Sequence, residues 1–237
     1  FYKYKLITIT CEMKKKLNPI KSDFSIQSFK GGFDNNFSYI LTCLKTGFQI
    51  IIDAALDLEN LAPFLKSTSP VILITHTHHD HIKYINSYIE NFPDISIIGN
   101  PKSKNNYSID KFIAVDDNTK IKIGELEILC IHTPGHYFDS ICYLVENILF
   151  TGDTLFVGRT GRTISNGSNI DDLYESVYNK LLLLPDDTHI YPGHDYGEFP
   201  SLTIKENKKI SDLLQAKNKK DFKNKMVHYE KNRKTGS

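Results

Sequence analysis

The segment Thr75-His76-Thr77-His78-His79-Asp80-His81 places four imidazoles and a carboxylate directly after a short apolar run at 71–74. The chain has nine histidines, and four of them lie within the six residues from His76 to His81. Imidazole nitrogen and carboxylate oxygen are ligands for zinc, iron and manganese, and a loop between a buried strand and a helix can direct several of them inward. The segment therefore predicts a metal site at the end of a buried strand.

Three later segments each supply one further candidate ligand beside a glycine or at the end of a predicted strand. They are Thr133-Pro134-Gly135-His136, Thr151-Gly152-Asp153-Thr154 and Tyr191-Pro192-Gly193-His194. A single histidine or aspartate in a turn is typical of a structural hydrogen bond. Since three such turns follow the histidine-rich segment, we expect loops to bring these side chains to the same metal site.

The spacing of apolar residues predicts alternating strands and helices in two similar halves. The first half has strands over 24–29, 37–41 and 48–52 in an antiparallel meander, a helix over 57–66, and strands over 71–74 and 95–98 joined by a helix over 82–92. The second half has strands over 112–115, 119–131, 140–145, 147–151 and 188–191, and helices over 170–184, 201–214 and 220–233. This repeated order favours two packed halves in one domain, with layers in the order helix, sheet, sheet, helix.

The order HxHxDH, His, Gly-Asp and Pro-Gly-His resembles the metal signature of the metallo-β-lactamase superfamily, over roughly residues 25–230. The resemblance implies an α/β fold, an αββα sandwich of two mixed β-sheets flanked by helices. It also implies two divalent metal ions, zinc in the first place, with iron and manganese also compatible with the ligands. His79 lies in the variable position of the pattern, so we expect it to be a bystander.

The same resemblance assigns a role to each ligand. It implies one metal held by His76, His78 and His136, a second held by Asp80, His81 and His194, and Asp153 bridging both. A metal pair of this kind can hold a bridging hydroxide near neutral pH and polarise a carbonyl, which makes Asp80 and Asp153 the candidate catalytic carboxylates. Asp53 and Tyr196 are expected to support the ligands from behind.

Within the superfamily, the segments Gly152-Asp153-Thr154-Leu155-Phe156 and Tyr191-Pro192-Gly193-His194-Asp195-Tyr196 resemble glyoxalase II and its relatives. The implied activity is hydrolysis of a thioester, with a small glutathione conjugate as a candidate substrate. Two features depart from glyoxalase II: the segment after His194 is short, and Ile164 stands where that family has a glutathione-contacting tyrosine.

Three alternatives stay open at this point. The first is a glutathione persulfide dioxygenase, which would hold a single iron through His76, His136 and Asp153. The second is a related hydrolase that acts on a different substrate. The third, from another class, is a non-catalytic metal-binding protein, although such relatives tend to lose ligands and this chain retains the full set.

The loop Arg159-Thr160-Gly161-Arg162-Thr163 is the candidate substrate-binding segment. An arginine guanidinium matches the geometry of a carboxylate or a phosphate, so Arg159, Arg162 and Thr163 are expected to contact an anionic group of the substrate. Each arginine is equally typical of an ordinary surface ion pair.

Composition narrows the class of partner. The formal net charge is +1, so the protein has no strong long-range attraction to nucleic acid. The longest apolar runs are shorter than the roughly 20 residues that a helix needs to span a bilayer. Lysines between Lys205 and Lys234 predict a solvated basic helix. The four cysteines, Cys11, Cys43, Cys130 and Cys142, form no disulfide framework, which favours a reducing compartment: the cytoplasm, with an organelle as the alternative.

We expect one domain over 24–237 after an N-terminal extension over 1–23, in which the residues before Met13 are a candidate for non-native sequence.

Overall fold

Two six-stranded mixed sheets form the centre of the computed structural model, which describes residues 23–66, 69–106 and 111–232. In the first sheet, three antiparallel strands lead into three parallel ones. Its strands, in spatial order, are β1 (Phe24–Gly31), β2 (Asn36–Cys43), β3 (Gln49–Ile52), β4 (Val71–Leu73), β5 (Ser96–Gly99) and β6 (Phe112–Ala114).

The second sheet is antiparallel except for the pairing of β10 with β13. Its spatial order is β14-β13-β10-β9-β8-β7, and a separate two-stranded ribbon pairs β11 with β12. The ranges are β7 (Thr119–Ile123), β8 (Leu126–His132), β9 (Ile141–Val145), β10 (Ile148–Gly152), β11 (Leu155–Phe156), β12 (Arg159–Thr160), β13 (His189–Pro192) and β14 (Leu202–Thr203).

Helices cover the outer faces of both sheets. Their ranges are α1 (Leu58–Leu61), α2 (His79–Ile82), α3 (Ile85–Asn91), α4 (Ile170–Asn179), α5 (Ile204–Ile210) and α6 (Lys219–Asn232). Short 3-10 helices cover 62–64, 101–106, 181–183 and 212–215. No helix among the described residues is long and apolar enough to cross a membrane.

The apolar run Ile50-Ile51-Ile52 shows why the layers stack. Successive side chains of a strand point to opposite faces, so a strand buried on both faces needs apolar residues at every position. Ile50 and Ile52 lie in the core between the sheets, whereas Ile51 lies in the core beneath the helices of the first half. A third core packs α4 and α6 on the outer face of the second sheet. The predicted αββα sandwich is thereby confirmed.

Several predicted boundaries needed correction. The strand predicted over 119–131 is a hairpin, because Gly124 takes a φ of 60° and turns β7 into β8. The helix predicted over 57–66 shortens to α1 and one 3-10 turn, and that over 82–92 becomes α2 and α3, separated at Lys83 and Tyr84. The N-terminal extension lies almost wholly outside the described residues, so the proposed domain bounds stay a prediction.

Candidate metal centre

The candidate ligands come from loops that follow the carboxyl ends of β4, β8, β10 and β13. Two cross-links between the sheets hold these loops at one edge: Tyr143 donates a hydrogen bond to the Ile74 carbonyl at 2.8 Å, and Tyr39 donates to the Pro192 carbonyl at 2.6 Å. Two backbone hydrogen bonds join the same regions, from Ile141 N–H to the Thr75 carbonyl at 2.8 Å and from Phe37 N–H to the Gly193 carbonyl at 2.7 Å, so the site does not depend on side-chain contacts alone.

Three imidazoles form the first group of candidate ligands. The Nδ1 of His78 lies 3.0 Å from the Nε2 of His76 and 3.0 Å from the Nε2 of His136. Burial holds the pKa of His76 well below its usual value, lowers that of His78 to about 4, and lowers that of His136 as well. All three rings are therefore neutral near pH 7, with lone pairs available for a metal ion.

A second group combines Asp80, His81 and His194. The Nε2 atoms of the two histidines lie 3.2 Å apart, and the Nε2 of His194 lies 3.2 Å from Oδ2 of Asp80. Asp153 lies between this group and the first one. Its Oδ1 is 3.2 Å from His81 Nε2, and its Oδ2 is 3.3 Å from His194 Nε2 and 3.6 Å from His136 Nε2. All seven predicted ligands thus occur in clusters whose donor atoms lie within 4.8 Å of one another.

Oxygen acceptors behind the rings fix which imidazole nitrogen faces the centre. The Nδ1 atoms of His136, His194 and His81 lie 2.9 Å from the Arg162 carbonyl, 2.8 Å from the Asp34 carbonyl and 2.7 Å from Oδ2 of Asp53, respectively. A neutral ring that donates its Nδ1–H to such an oxygen presents an unprotonated Nε2 on its other side. The structure therefore places Asp53 where it can set the orientation of His81.

The donor set fits a pair of cations. Oδ1 of Asp153 is buried and has no partner with good hydrogen-bond geometry, although His81 Nε2 lies 3.2 Å away. Although burial alone raises the pKa of Asp153, the adjacent His194 and His81 hold it well below the usual range. Burial opposes protonation of His81 and His194, but Asp153 beside them holds the pKa of His81 well above its usual value and raises that of His194 to about 9, so without a metal these two rings carry the positive charge that the carboxylate faces. A metal ion bound there would replace those protons, since imidazole is a ligand only through an unprotonated nitrogen.

Two glycines permit this close approach. A Cβ on Gly193 would lie 2.4 Å from Oδ1 of Asp153 and 2.6 Å from the His81 ring. Gly152 has a φ of 47°, and a Cβ there would lie 2.5 Å from Thr75 Oγ1. The Pro-Gly-His turn therefore needs glycine because two candidate ligands occupy the space, and the Gly-Asp turn needs it because of the positive φ and the Thr75 side chain.

Sequence reasoning missed two polar residues that hold the ligand loops. The buried Asn36 donates to Oδ2 of Asp80 at 2.8 Å. The fully buried carboxylate of Asp139 accepts from Thr77 Oγ1 at 2.6 Å and from Ser103 Oγ at 2.8 Å, which fixes the residue between His76 and His78. No local signal identifies either one, because each acts on a loop far away in sequence.

A pocket of about 590 Å³ opens onto the ligand cluster. Its wall includes the predicted substrate residues Arg159 and Arg162, the predicted supporting residue Tyr196, and His79, which was expected to be a bystander and is exposed. Thr163 does not belong to the wall within the described residues. Tyr229 of α6 does, so the helix predicted to be only a solvated basic one also borders the pocket.

Comparisons with known proteins agree with this geometry. Residues 31–194 match the family model of the metallo-beta-lactamase superfamily. The chain is 34% identical over 194 residues to the probable hydroxyacylglutathione hydrolase glo2 of Schizosaccharomyces pombe, covering 77% of this chain and 70% of that one. It is 26% identical over 212 residues to the probable polyketide biosynthesis zinc-dependent hydrolase PksB of Bacillus subtilis, covering 87% and 91%. The crystal structure of ETHE1 from Myxococcus xanthus aligns with a TM-score of 0.75 at 28% identity, covering 88% and 90%.

Proposed function

The chain belongs to the metallo-beta-lactamase superfamily, and from that premise we propose that it is a two-metal hydrolase that cleaves the thioester of a small glutathione conjugate. One observation carries the proposal: seven donor side chains converge in overlapping clusters, and Asp153 lies beside His136 of the first group and beside His81 and His194 of the second. The similarity to relatives named as hydroxyacylglutathione hydrolases supports the thioester and the glutathione moiety.

In this proposal His76, His78 and His136 would hold one ion and Asp80, His81 and His194 the other, and Asp153, which lies beside both groups, would serve both. Two divalent ions bound there would supply a hydroxide at neutral pH and polarise the substrate carbonyl. Zinc suits the imidazole and carboxylate set, and a zinc-dependent relative supports that choice.

The protein's own groups would orient the reaction. The backbone carbonyls of Asp34 and Arg162 and the carboxylate of Asp53 fix three imidazoles, so that little reorganisation is needed when the substrate arrives. Asn36 holds Asp80 by a hydrogen bond at the pocket wall. The pocket walls would hold the remainder of the conjugate and exclude water from the reacting carbonyl.

We also assign the protein to a reducing compartment, with the cytoplasm as the first choice. Cys43, Cys130 and Cys142 are buried and form no disulfide with one another, and burial raises the pKa of Cys142 and of Cys130 to about 12. Cys130 and Cys142 are therefore inert packing groups, whereas burial of Cys43 is outweighed by hydrogen bonds from Thr46 and its neighbours, which lower its pKa. The fourth cysteine, Cys11, lies outside the described residues.

Metal content and hydrolysis together test the proposed reaction. Purified protein is expected to contain about two metal ions per chain and to hydrolyse S-lactoylglutathione. His194→Ala should lose one ion and most activity, whereas His189→Ala, which changes a histidine of the strand that precedes His194 and lies outside the ligand clusters, should retain both. Full metal content without hydrolysis of this thioester would contradict the substrate assignment.

The persulfide dioxygenase is the second candidate, because His76, His136 and Asp153 supply the two imidazoles and one carboxylate of a single-iron site. The rings of His76 and His136 are 5.1 Å apart, and His136 Nε2 lies 3.6 Å from Asp153 Oδ2. Against it, Asp80 and His81 are equally well assembled and such a site would not need them. One iron per chain with oxygen uptake on glutathione persulfide would favour this candidate over the hydrolase.

A further inference from the structure

The two arginines of the pocket wall differ in how their charge is compensated. The Nε of Arg162 lies 3.1 Å from Oε2 of Glu230, a largely buried carboxylate on α6. Arg159 lies within 4.0 Å of no carboxylate among the residues the structure describes, and its hydrogen-bond partners are neutral. Arg159 therefore contributes a net positive charge to the pocket, whereas most of the charge of Arg162 is already neutralised.

Neutral groups also hold the Arg159 guanidinium in one orientation. Its two terminal nitrogens donate to the Tyr229 hydroxyl at 2.8 Å and to the Tyr196 carbonyl at 3.4 Å. Its Cζ lies 4.3 Å from the centre of the Tyr196 ring, a cation–π contact. The backbone at Arg159 is fixed as well, because β12 pairs with β11. A half-buried guanidinium fixed in this way loses little entropy when it binds an anion.

The position of Arg159 connects it with the reaction centre. The Tyr196 ring that contacts the guanidinium also stacks on the imidazole of His194, with centroids 4.7 Å apart and an angle of 3° between the planes. Arg159 and the ligand cluster therefore border the same pocket, separated by one aromatic ring. Lys83 is the other cation of the wall without a carboxylate partner in the described part of the chain, but its side chain is exposed and less restricted.

We propose that Arg159 binds a carboxylate of the substrate while the thioester carbonyl lies at the ligand cluster, and that Glu230 prevents Arg162 from taking this role. The inference rests on the proposed function, since it assigns the acidic end of the glutathione conjugate to a side chain. It makes Arg159 the residue that selects anionic over neutral conjugates, because a guanidinium without an acidic partner gains most from an incoming carboxylate.

Binding of an unreactive ligand tests the assignment independently of hydrolysis. S-methylglutathione has free carboxylates and no thioester, and its diethyl ester keeps the same peptide, adds two ethyl groups and lacks both carboxylate charges. By calorimetry, the metal-loaded protein should bind the free acid roughly 10- to 150-fold more tightly than the diester, the range expected for hydrogen bonds to a charged group. Arg159→Met should abolish most of that preference, and Arg159→Lys should retain part of it.

Two comparison variants make the result specific. Arg162→Met should change the affinity for the acid by no more than about fivefold, the range expected for an exposed ion pair. Lys45→Met removes a cation that is paired with Asp23 outside the pocket and should leave the preference unchanged. Melting curves for each variant show whether the fold is intact.

The proposal is overturned if Arg159→Met retains the preference, if Arg162→Met is the variant that loses it, or if the unmodified protein binds neither ligand. An acid preference that depends on Arg159, in a protein that does not hydrolyse S-lactoylglutathione, would remove the proposed reaction and keep the assignment of Arg159.

Discussion

Replacing Asp53 by Asn should weaken metal binding without changing any ligand. Oδ1 of Asp53 accepts from the Thr75 backbone N–H at 2.7 Å, and Oδ2 accepts from Thr75 Oγ1 and lies 2.7 Å from His81 Nδ1. An asparagine has a single side-chain oxygen, so its NH₂ group must face at least one of these donors. Asparagine tolerates the left-handed backbone conformation at this position, where φ is 58°, so the effect arises in the side chain.

The magnitude follows from those contacts. One buried donor loses its acceptor, which costs about 1–3 kcal/mol of folding free energy. Because His81 then lacks its oriented partner, we expect the affinity for zinc to fall by about 10- to 100-fold, as for other residues that support a metal ligand. The same change should lower the melting temperature of the metal-free protein.

Competition against a chromophoric chelator measures the zinc affinity, and thermal melting with and without zinc measures the stability. Asp57→Asn is the matched control, since it makes the same chemical change nearby. Asp57 caps α1 by accepting from the Glu59 N–H at 3.2 Å, and asparagine caps helices equally well. If Asp53→Asn bound zinc as tightly as Asp57→Asn does, the supporting role of Asp53 would be refuted.

Three further changes test other parts of the structure. Asp139→Ala leaves the Thr77 and Ser103 hydroxyls without their acceptor, so it should lower the affinity for zinc about tenfold in the same competition assay. A variant that bound zinc as tightly as the unmodified protein would contradict this expectation. Asp117→Asn should lower the free energy of unfolding by about 0.5–1.5 kcal/mol in urea at pH 7. Burial opposes ionisation of Asp117, but the hydrogen bond from Lys180 lowers its pKa in the folded protein, so its contribution to stability is present above the unfolded pKa near 3.8 and is lost as the pH falls through the lower folded value. A difference in stability between the two proteins that persisted at pH 2 would contradict this reasoning. Phe222→Ala should cost about 3–5 kcal/mol in thermal or urea unfolding, because that ring is fully buried under α6, and a loss below about 1 kcal/mol would show that α6 is not part of the core.

Local patterns predicted the strands and the candidate ligands, because each strand and each turn that carries a candidate ligand is a feature of one short segment. Ile50-Ile51-Ile52 predicts a strand buried on both faces, and the histidine-rich segment after β4 predicts ligands at the end of a strand; the structure places them accordingly. The fold and the superfamily were therefore predictable from the sequence. The roles of the individual ligands stay predictions until metal content is measured.

The residues that hold the ligands could not be predicted in the same way. Asn36 contacts a carboxylate 44 positions away, and Asp139 contacts a hydroxyl 62 positions away. Neither residue belongs to a pattern of its own, since a buried amide or carboxylate is explained only by the partner that the fold provides. Asp53 was expected to support the loop because it ends a buried strand, which is a local feature.

The lysine-rich C-terminal segment shows a related limit. Its charge predicts a solvated helix, and α6 does expose lysines, but Phe222 and Met226 are buried against the second sheet. Tyr229 and Glu230 on the same helix contact Arg159 and Arg162. Composition describes the exposed face of such a helix and gives no information about the face that is covered.

The candidate metal ligands and the residues that set the charge and orientation of the two pocket arginines lie in different parts of the sequence. The match to the superfamily ends at His194, the last candidate ligand, so the complete donor set lies within the shared region. Tyr196, Tyr229 and Glu230, which set the orientation and charge of the two arginines, all follow it. A change in the segment after His194 would therefore alter the orientation or the charge of the two arginines without changing a candidate metal donor.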